Sequence, residues 1–227
     1  MGKTGPCGPC SEIHIDIRDD NERLKTKGES LVNKDHPEVI EIWNLVFMEY
    51  NRNDQGLLEK LSKKHVDTGM GFERLAMILQ GVNSSYDSDI FQPLIQLVAK
   101  KAHCKYGEND SKDIAIRVIS DHIRAISFAI ADGQLPSNVK GGYVIRRILR
   151  RAIRYAYTFL DIKNPFLYEL VEVLVNQLGD HYQELAKQKE LISKVIKDEE
   201  ISFLRTLDDG LKIINEIIKQ STKISTN

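Results

Sequence analysis

The chain has 227 residues and a mass of 25.9 kDa, enough for one large domain or two small ones. Hydrophobic residues make up 41% and charged residues 29%, which excludes a disordered chain. Lys and Arg (32) balance Asp and Glu (33), so any nucleic-acid function must come from a local basic patch. The longest run without a charged side chain, Leu75–Tyr86, is too short to span a bilayer. Met1–Gly5 is followed by Pro6 rather than by the apolar segment of a signal peptide, and Pro6 stands where a myristoylation signal on Gly2 needs Ser or Thr. Three cysteines argue against a disulfide framework. The expectation is a cytoplasmic protein without a membrane partner.

In chain order, Gly2–Pro9 reads as turn, with Gly-Pro twice around Cys7. Glu12–Ile17 alternates polar and apolar and predicts a half-buried strand. Arg18–Lys34 has no periodicity and reads as a loop. Glu41–Tyr50 is rich in β-branched and aromatic residues and suits a long central strand. A turn over Asn51–Gly56 leads to a short strand, Lys63–Asp67, broken by Thr68–Gly71 before a helix over Phe72–Gln80. After Gly81 the pattern becomes helical: Asp87–Ala102, Lys112–Ala131, Tyr143–Leu160, Phe166–Gln177 and His181–Gln220. The last helix is expected to break near Gly210, and Ser221–Asn227 reads as a polar tail. The predicted class is α+β: a partial antiparallel sheet over residues 1–82, then an all-α bundle over 83–227.

Four groups of residues could carry chemistry. In Gly69-Met70-Gly71-Phe72-Glu73-Arg74, glycines between strand and helix allow a ligand close to the backbone, and Arg74 can fork onto phosphate oxygens. A plain turn with a solvated Arg is the alternative. Asn44 and Asp67 stand on separate predicted strands. Side by side they could hold a zwitterion, carboxylate to ammonium and amide to carboxylate, although two structural polar residues are the simpler account. Cys7 and Cys10 have CxxC spacing, but no second ligand pair completes a zinc site and no thioredoxin-like unit surrounds them. A tight turn is preferred, with no metal.

The fourth group is the clearest. Arg147, Arg150, Arg151 and Arg154 fall at i, i+3, i+4 and i+7, one stripe of a helix, flanked by Arg146. Ile145, Ile148, Leu149, Ala152, Ile153 and Ala156 form the opposite stripe. Val139–Ala156 holds six Arg or Lys and no acid, which favours a phosphate backbone over internal salt bridges. Asn138, in the loop just before, can donate and accept at once and suits a base edge in an RNA minor groove; capping a turn is the alternative.

Taken together, the strings Thr4–Ile13, Glu41–Met48, Val66–Leu75, Ile119–Arg124, Ala131–Asn138 and Gly142–Ala152 resemble the alanyl-tRNA synthetase family of class II aminoacyl-tRNA synthetases. The resemblance covers nearly the whole chain, in the family's order. It implies a partial class II sheet carrying motif 3, with Gly69, Gly71 and Arg74 at ATP, and Asn44 and Asp67 at alanine. It implies that Asn138 reads the G·U pair of the tRNA(Ala) acceptor stem, and that the arginine helix belongs to the tRNA-recognition region. ATP with Mg2+ is the implied cofactor set, with no zinc in this region and no residue acting as a covalent catalyst. The family's motif 1, its motif 2 arginine, its Leu-Tyr-Asp-Thr-Tyr-Gly-Phe-Pro segment and its editing domain find no counterpart here. The resemblance therefore implies a middle piece of a ligase that works with the remainder of the synthetase chain and has little activity alone. The competing expectation is a non-enzymatic helical module that binds the acceptor stem.

Overall fold

In the computed structural model, which describes residues 3–224, the chain divides into two units, Met1–Ser88 and Asp89–Asn227. Met1, Gly2 and residues 225–227 lie outside the described residues, and with them the expectations for Gly2 and for the end of the polar tail.

The first unit is built on one strand. Val39–Arg52 (β3) is fourteen residues of mostly β-branched, aromatic and long apolar side chains, which suit a pleated ladder. Gly5–Cys7 (β1) and Cys10–Asp16 (β2) lie end to end along one edge of it, and Leu58–Met70 (β4) along the other. The register fixes this: Tyr50 pairs with both Cys7 and Lys60, and Asn44 with both Glu12 and Gly69. All pairings are antiparallel.

Cys7-Gly8-Pro9-Cys10 is thus a kink between two collinear strands rather than a free turn. Phe47 N–H donates to Pro9 O at 2.9 Å. A Cβ on Gly8 would sit 1.7 Å from Phe47 O, so only glycine lets the kink press this close to β3. β4 is longer than expected and runs through Thr68-Gly69-Met70, because its partner supplies ladder bonds that outweigh the low strand propensity of Gly69. Phe72–Leu79 (α2) follows, with Gly71 as its N-cap.

The segment expected as a loop is partly ordered. Asp20–Lys25 (α1) is capped by Asp19, whose side chain accepts from Glu22 N–H at 3.0 Å, and Gly28–Leu31 forms a 3-10 turn. Arg18, only 3% exposed, ties the segment down: it forks onto Asp16 at 2.9 and 2.6 Å and donates to Thr26 O at 2.8 Å. The Arg18 guanidinium holds the Asp16 carboxyl down at about 2.

The second unit is helical: Gln92–Lys101 (α3), Asp110–Ala131 (α4), Lys140–Phe159 (α5), Leu170–Leu178 (α6), Gln183–Lys187 (α7) and Lys189–Ile224 (α8). Its core is the isoleucine stripe of α4, Ile116, Ile119, Ile123, Ile126 and Ile130, all fully buried. Leu149, Ala152, Ile153 and Ala156 of α5 and Leu170, Val171 and Leu174 of α6 complete it. Burying each large aliphatic side chain contributes about 1.5–3 kcal/mol.

Several helix boundaries differ from expectation: α4 starts at Asp110 and α5 at Lys140, and the span expected as one helix, His181–Gln220, is divided into α7 and α8, with α8 running to Ile224. α3 starts at Gln92 rather than Asp87, since Pro93 is tolerated only in a first turn. The Phe166 helix opens as a 3-10 turn, Leu167–Glu169. α8 passes through Gly210 unbroken: a glycine costs about 1 kcal/mol in a helix interior, less than the burial of Ile192, Ile196 and Leu204 returns. Among the described residues no helix is long and apolar enough to cross a membrane.

Candidate functional site

The register of the sheet brings Asn44 and Asp67 to one face. Residues directly opposite in an antiparallel ladder share a face. One row is Glu12–Asn44–Gly69 and the next is Cys10–Val46–Asp67. Asn44 and Asp67 are therefore diagonal neighbours, with Cα atoms about 7–8 Å apart.

Their surroundings differ. Asn44 Nδ2 donates to Glu12 Oε1 at 3.1 Å, and Cys10 Sγ donates to Asn44 Oδ1 at 3.4 Å. Glu12 also accepts from Asn33 Nδ2 at 3.0 Å and faces His14 Nε2 at 3.1 Å; chiefly through the Asn33 bond, then His14, its carboxyl is held below the usual range. Asp67 is exposed, and among the described residues its carboxylate has no hydrogen-bond or ion-pair partner. It lines a cavity of about 420 Å³ together with Cys7, Cys10, Val46, Met48 and Arg52.

The glycine motif serves two purposes. A Cβ on Gly69 would meet nothing within 4 Å, so the face above it is open. A Cβ on Gly71 would approach the Arg74 side chain at 3.1–3.4 Å, so the space at Gly71 accommodates Arg74 itself. Gly71 N–H donates to Ile42 O at 2.9 Å and Arg74 Nη1 to Glu41 O at 2.6 Å, which fasten the start of α2 to β3. Arg74 opens on a different cavity from Asp67, about 490 Å³, lined also by His14, His36, Glu41 and Ser84–Tyr86.

In the second unit, Arg147, Arg151 and Arg154 of α5 are exposed. With Arg150, Tyr155 and Phe203 they line a concavity of about 380 Å³. Arg151 and Arg154 lie over the Tyr155 ring, 5.6 and 5.8 Å from its centroid. Arg150 is different: its Nε donates to Glu199 Oε1 at 2.8 Å, and its guanidinium stacks 5.1 Å from the Phe203 centroid. Arg146 Nε is 3.2 Å from the same Glu199 oxygen. The acid that offsets the arginine repulsion is thus supplied by α8. Asn138 is exposed, and its Oδ1 accepts from Arg146 Nη1 at 2.5 Å.

The sequence reading missed Glu199. It belongs to the acidic run Asp198-Glu199-Glu200, which reads as a solvated helix face. Glu200 is also hidden, at 1% exposure, where it accepts from Phe166 N–H at 3.0 Å and Leu167 N–H at 3.1 Å. Burial pushes its carboxyl up to about 7, against the two N–H bonds that lower it. Among the described residues no group of three or more His, Cys, Asp or Glu could hold a metal ion.

The profile of the family described as tRNA synthetases class II (A) matches residues 1–227. Three curated relatives, each named alanine–tRNA ligase, are similar to the chain. The one from Bacteroides fragilis is 63% identical over 216 residues, covering 95% of this chain and 25% of the relative. That from Parabacteroides distasonis is 62% identical over 221 residues (97% and 25%), and that from Flavobacterium psychrophilum 56% over 230 (97% and 26%). The chain spans about a quarter of the length of the curated relatives it matches. By its sequence over the full 227 residues, the chain belongs to the tRNA synthetases class II (A) family.

Proposed function

We propose that the chain is part of an alanine–tRNA ligase, with residues 1–82 contributing to the catalytic domain and 83–227 to tRNA recognition. In that reaction an alanine carboxylate oxygen attacks the α-phosphorus of ATP, pyrophosphate leaves, and alanyl-adenylate forms. A terminal ribose hydroxyl of the tRNA then attacks the acyl carbon and AMP leaves. Such transfers depend on positioning and charge neutralisation more than on a protein nucleophile.

The observation that carries this reading is Asp67. Among the described residues its carboxylate has no hydrogen-bond or ion-pair partner; it lines a cavity and shares a sheet face with Asn44. That arrangement suits the ammonium of a small amino acid, with Val46 beside it against a methyl group and the second Nδ2 hydrogen of Asn44 free for the carboxylate. Arg74 uses Nη1 on Glu41 O, and its other donors suit triphosphate oxygens, with Gly69 leaving the sheet face open and Gly71 giving room to the Arg74 stem. Mg2+ would arrive on the ATP phosphates rather than in a protein cage. Arg147, Arg151 and Arg154, with Arg150 behind them, suit the phosphates of an acceptor stem, and Asn138 its minor groove. The reading implies a cytoplasmic enzyme.

Alanine-dependent ATP–pyrophosphate exchange by the full-length protein tests it. Asp67→Asn is expected to raise the alanine KM at least tenfold and leave the ATP KM alone. An unchanged alanine KM would return Asp67 to a plain surface carboxylate. Hairpin binding without any exchange activity would favour the helical-module reading instead.

A further inference from the structure

The orientation of Asn138 is set from outside its own loop. A guanidinium has only donors, so the atom that Arg146 Nη1 meets at 2.5 Å must be the amide oxygen of Asn138. One carbonyl lone pair is used in this way. The other lone pair and both Nδ2 hydrogens stay available to a ligand.

The backbone of the loop is fixed separately. Ser137 N–H donates to Gly142 O at 2.9 Å, and Ser137 Oγ donates to Val139 O at 2.9 Å. A Cβ on Gly142 would lie 2.2 Å from Ser137 Oγ and 2.5 Å from Leu135 O, so the start of α5 packs directly on the loop. The amide torsion of Asn138 is the freedom that remains, and Arg146 restrains it.

An arginine stem has several rotatable bonds, and a guanidinium anchored at one end only would sweep a wide arc. Arg146 has a second, electrostatic anchor: its Nε lies 3.2 Å from Glu199 Oε1, an ion pair without hydrogen-bond geometry. The Glu199 side chain is 10% exposed, and the same oxygen is held by Arg150 at 2.8 Å. Solvent screens such a carboxylate weakly. A connected path therefore runs from α8 through Arg146 to the amide.

We propose that Glu199 is a positioning residue for Asn138, acting through Arg146 to hold the acceptor-stem reading amide in one orientation. The inference rests on the tRNA reading above. It differs from a merely structural salt bridge in one measurable respect: it acts on discrimination between stems, over and above any change common to both.

The test is a fluorescence titration of labelled acceptor-stem hairpins carrying G·U or G·C, at two salt concentrations, with the full-length protein. Asn138→Ala is expected to lower the G·U to G·C affinity ratio about tenfold. Glu199→Gln keeps the size of the side chain and removes the charge. It is expected to lower the ratio severalfold, whereas the release of Arg150 from its carboxylate acts on both hairpins alike and leaves the ratio unmoved. The double variant Asn138→Ala/Glu199→Gln should be no worse in ratio than Asn138→Ala alone. Arg146→Gln, at the surface end of the path, should show the same non-additivity and serves if Glu199→Gln folds poorly. Glu199→Gln shifting both hairpins equally, or the double variant multiplying the two losses, overturns the role of Glu199 while leaving that of Asn138. A ratio unmoved by Asn138→Ala overturns the reading of Asn138 and this inference with it.

Discussion

Glu200→Gln should alter stability in a pH-dependent way that can be worked from the structure. Glu200 is 1% exposed and accepts from two backbone N–H groups at the Phe166–Leu167 turn. Desolvation outweighs those bonds, and Glu169 adds repulsion, so the carboxyl rises from 4.5 to about 7. The folded state therefore holds a proton that the unfolded state gives up between pH 4.5 and 7. A raised carboxyl stabilises fully below the unfolded value, and that contribution is lost as pH climbs through the folded value. The shift is worth about 3 kcal/mol. Glutamine keeps an oxygen for the two N–H donors and cannot ionise. Its buried amide hydrogens impose an offset alike at every pH. Urea unfolding followed by far-ultraviolet circular dichroism from pH 4.5 to 8 isolates the effect, since all other titrations cancel in the difference between variant and parent. The expected result is that Glu200→Gln gains on the parent by up to about 3 kcal/mol across that range. A constant difference, or one that moves toward the parent as pH rises, would refute the dominance of burial.

Three further outcomes follow from particular contacts. Arg147→Ala should reduce the salt slope of hairpin binding by about 0.9 without changing the melting temperature, whereas Arg150→Ala should also destabilise the fold by about 1–3 kcal/mol because it strips a partner from Glu199; equal melting behaviour of the two would contradict the division of labour within the stripe. Gly71→Val must displace the Arg74 stem, so its penalty on the ATP KM should vanish in an Arg74→Ala background, and additive penalties would mean that Gly71 accommodates the ligand directly. Gly8→Ala would drive a Cβ against Phe47 O; denaturant unfolding should show a loss of more than about 2 kcal/mol, and a neutral result would mean that the kink can move away from β3.

What the sequence revealed was whatever is written in local periodicity. The isoleucines of α4 recur every three or four residues and are the core. The apolar stripe of α5 is legible too, with Leu149, Ala152, Ile153 and Ala156 buried and Ile145 and Ile148 half-buried. Pro93 was a legible start signal that the broader helical pattern obscured. The full length of β4 was not legible, because a ladder partner rather than composition extends it past Gly69. The partner of the arginine stripe was illegible for a related reason: Glu199 stands 49 residues beyond Arg150, outside any local count of charge. Likewise, Asn44 and Asp67 were candidates by type, but only the pairing of Val46 with Asp67 places them in adjacent rows.

The arrangement of the sheet around β3 also bears on how the first unit acquires its shape in time. β3 and β4 are joined by a short connection, Asn53–Leu57, and can close as a hairpin within microseconds. Among the described residues β1 and β2 pair with β3, at Tyr50–Arg52 and Val39–Val46. Synthesis runs from the N- to the C-terminus, so β1 and β2 are made before the strand that receives them. Their early segment is short, broken by Gly8 and Pro9, and carries charges at Glu12 and Asp16, features that discourage pairing with a neighbouring nascent chain. The glycine and proline that let the kink press on β3 also make the waiting segment a poor template for aggregation.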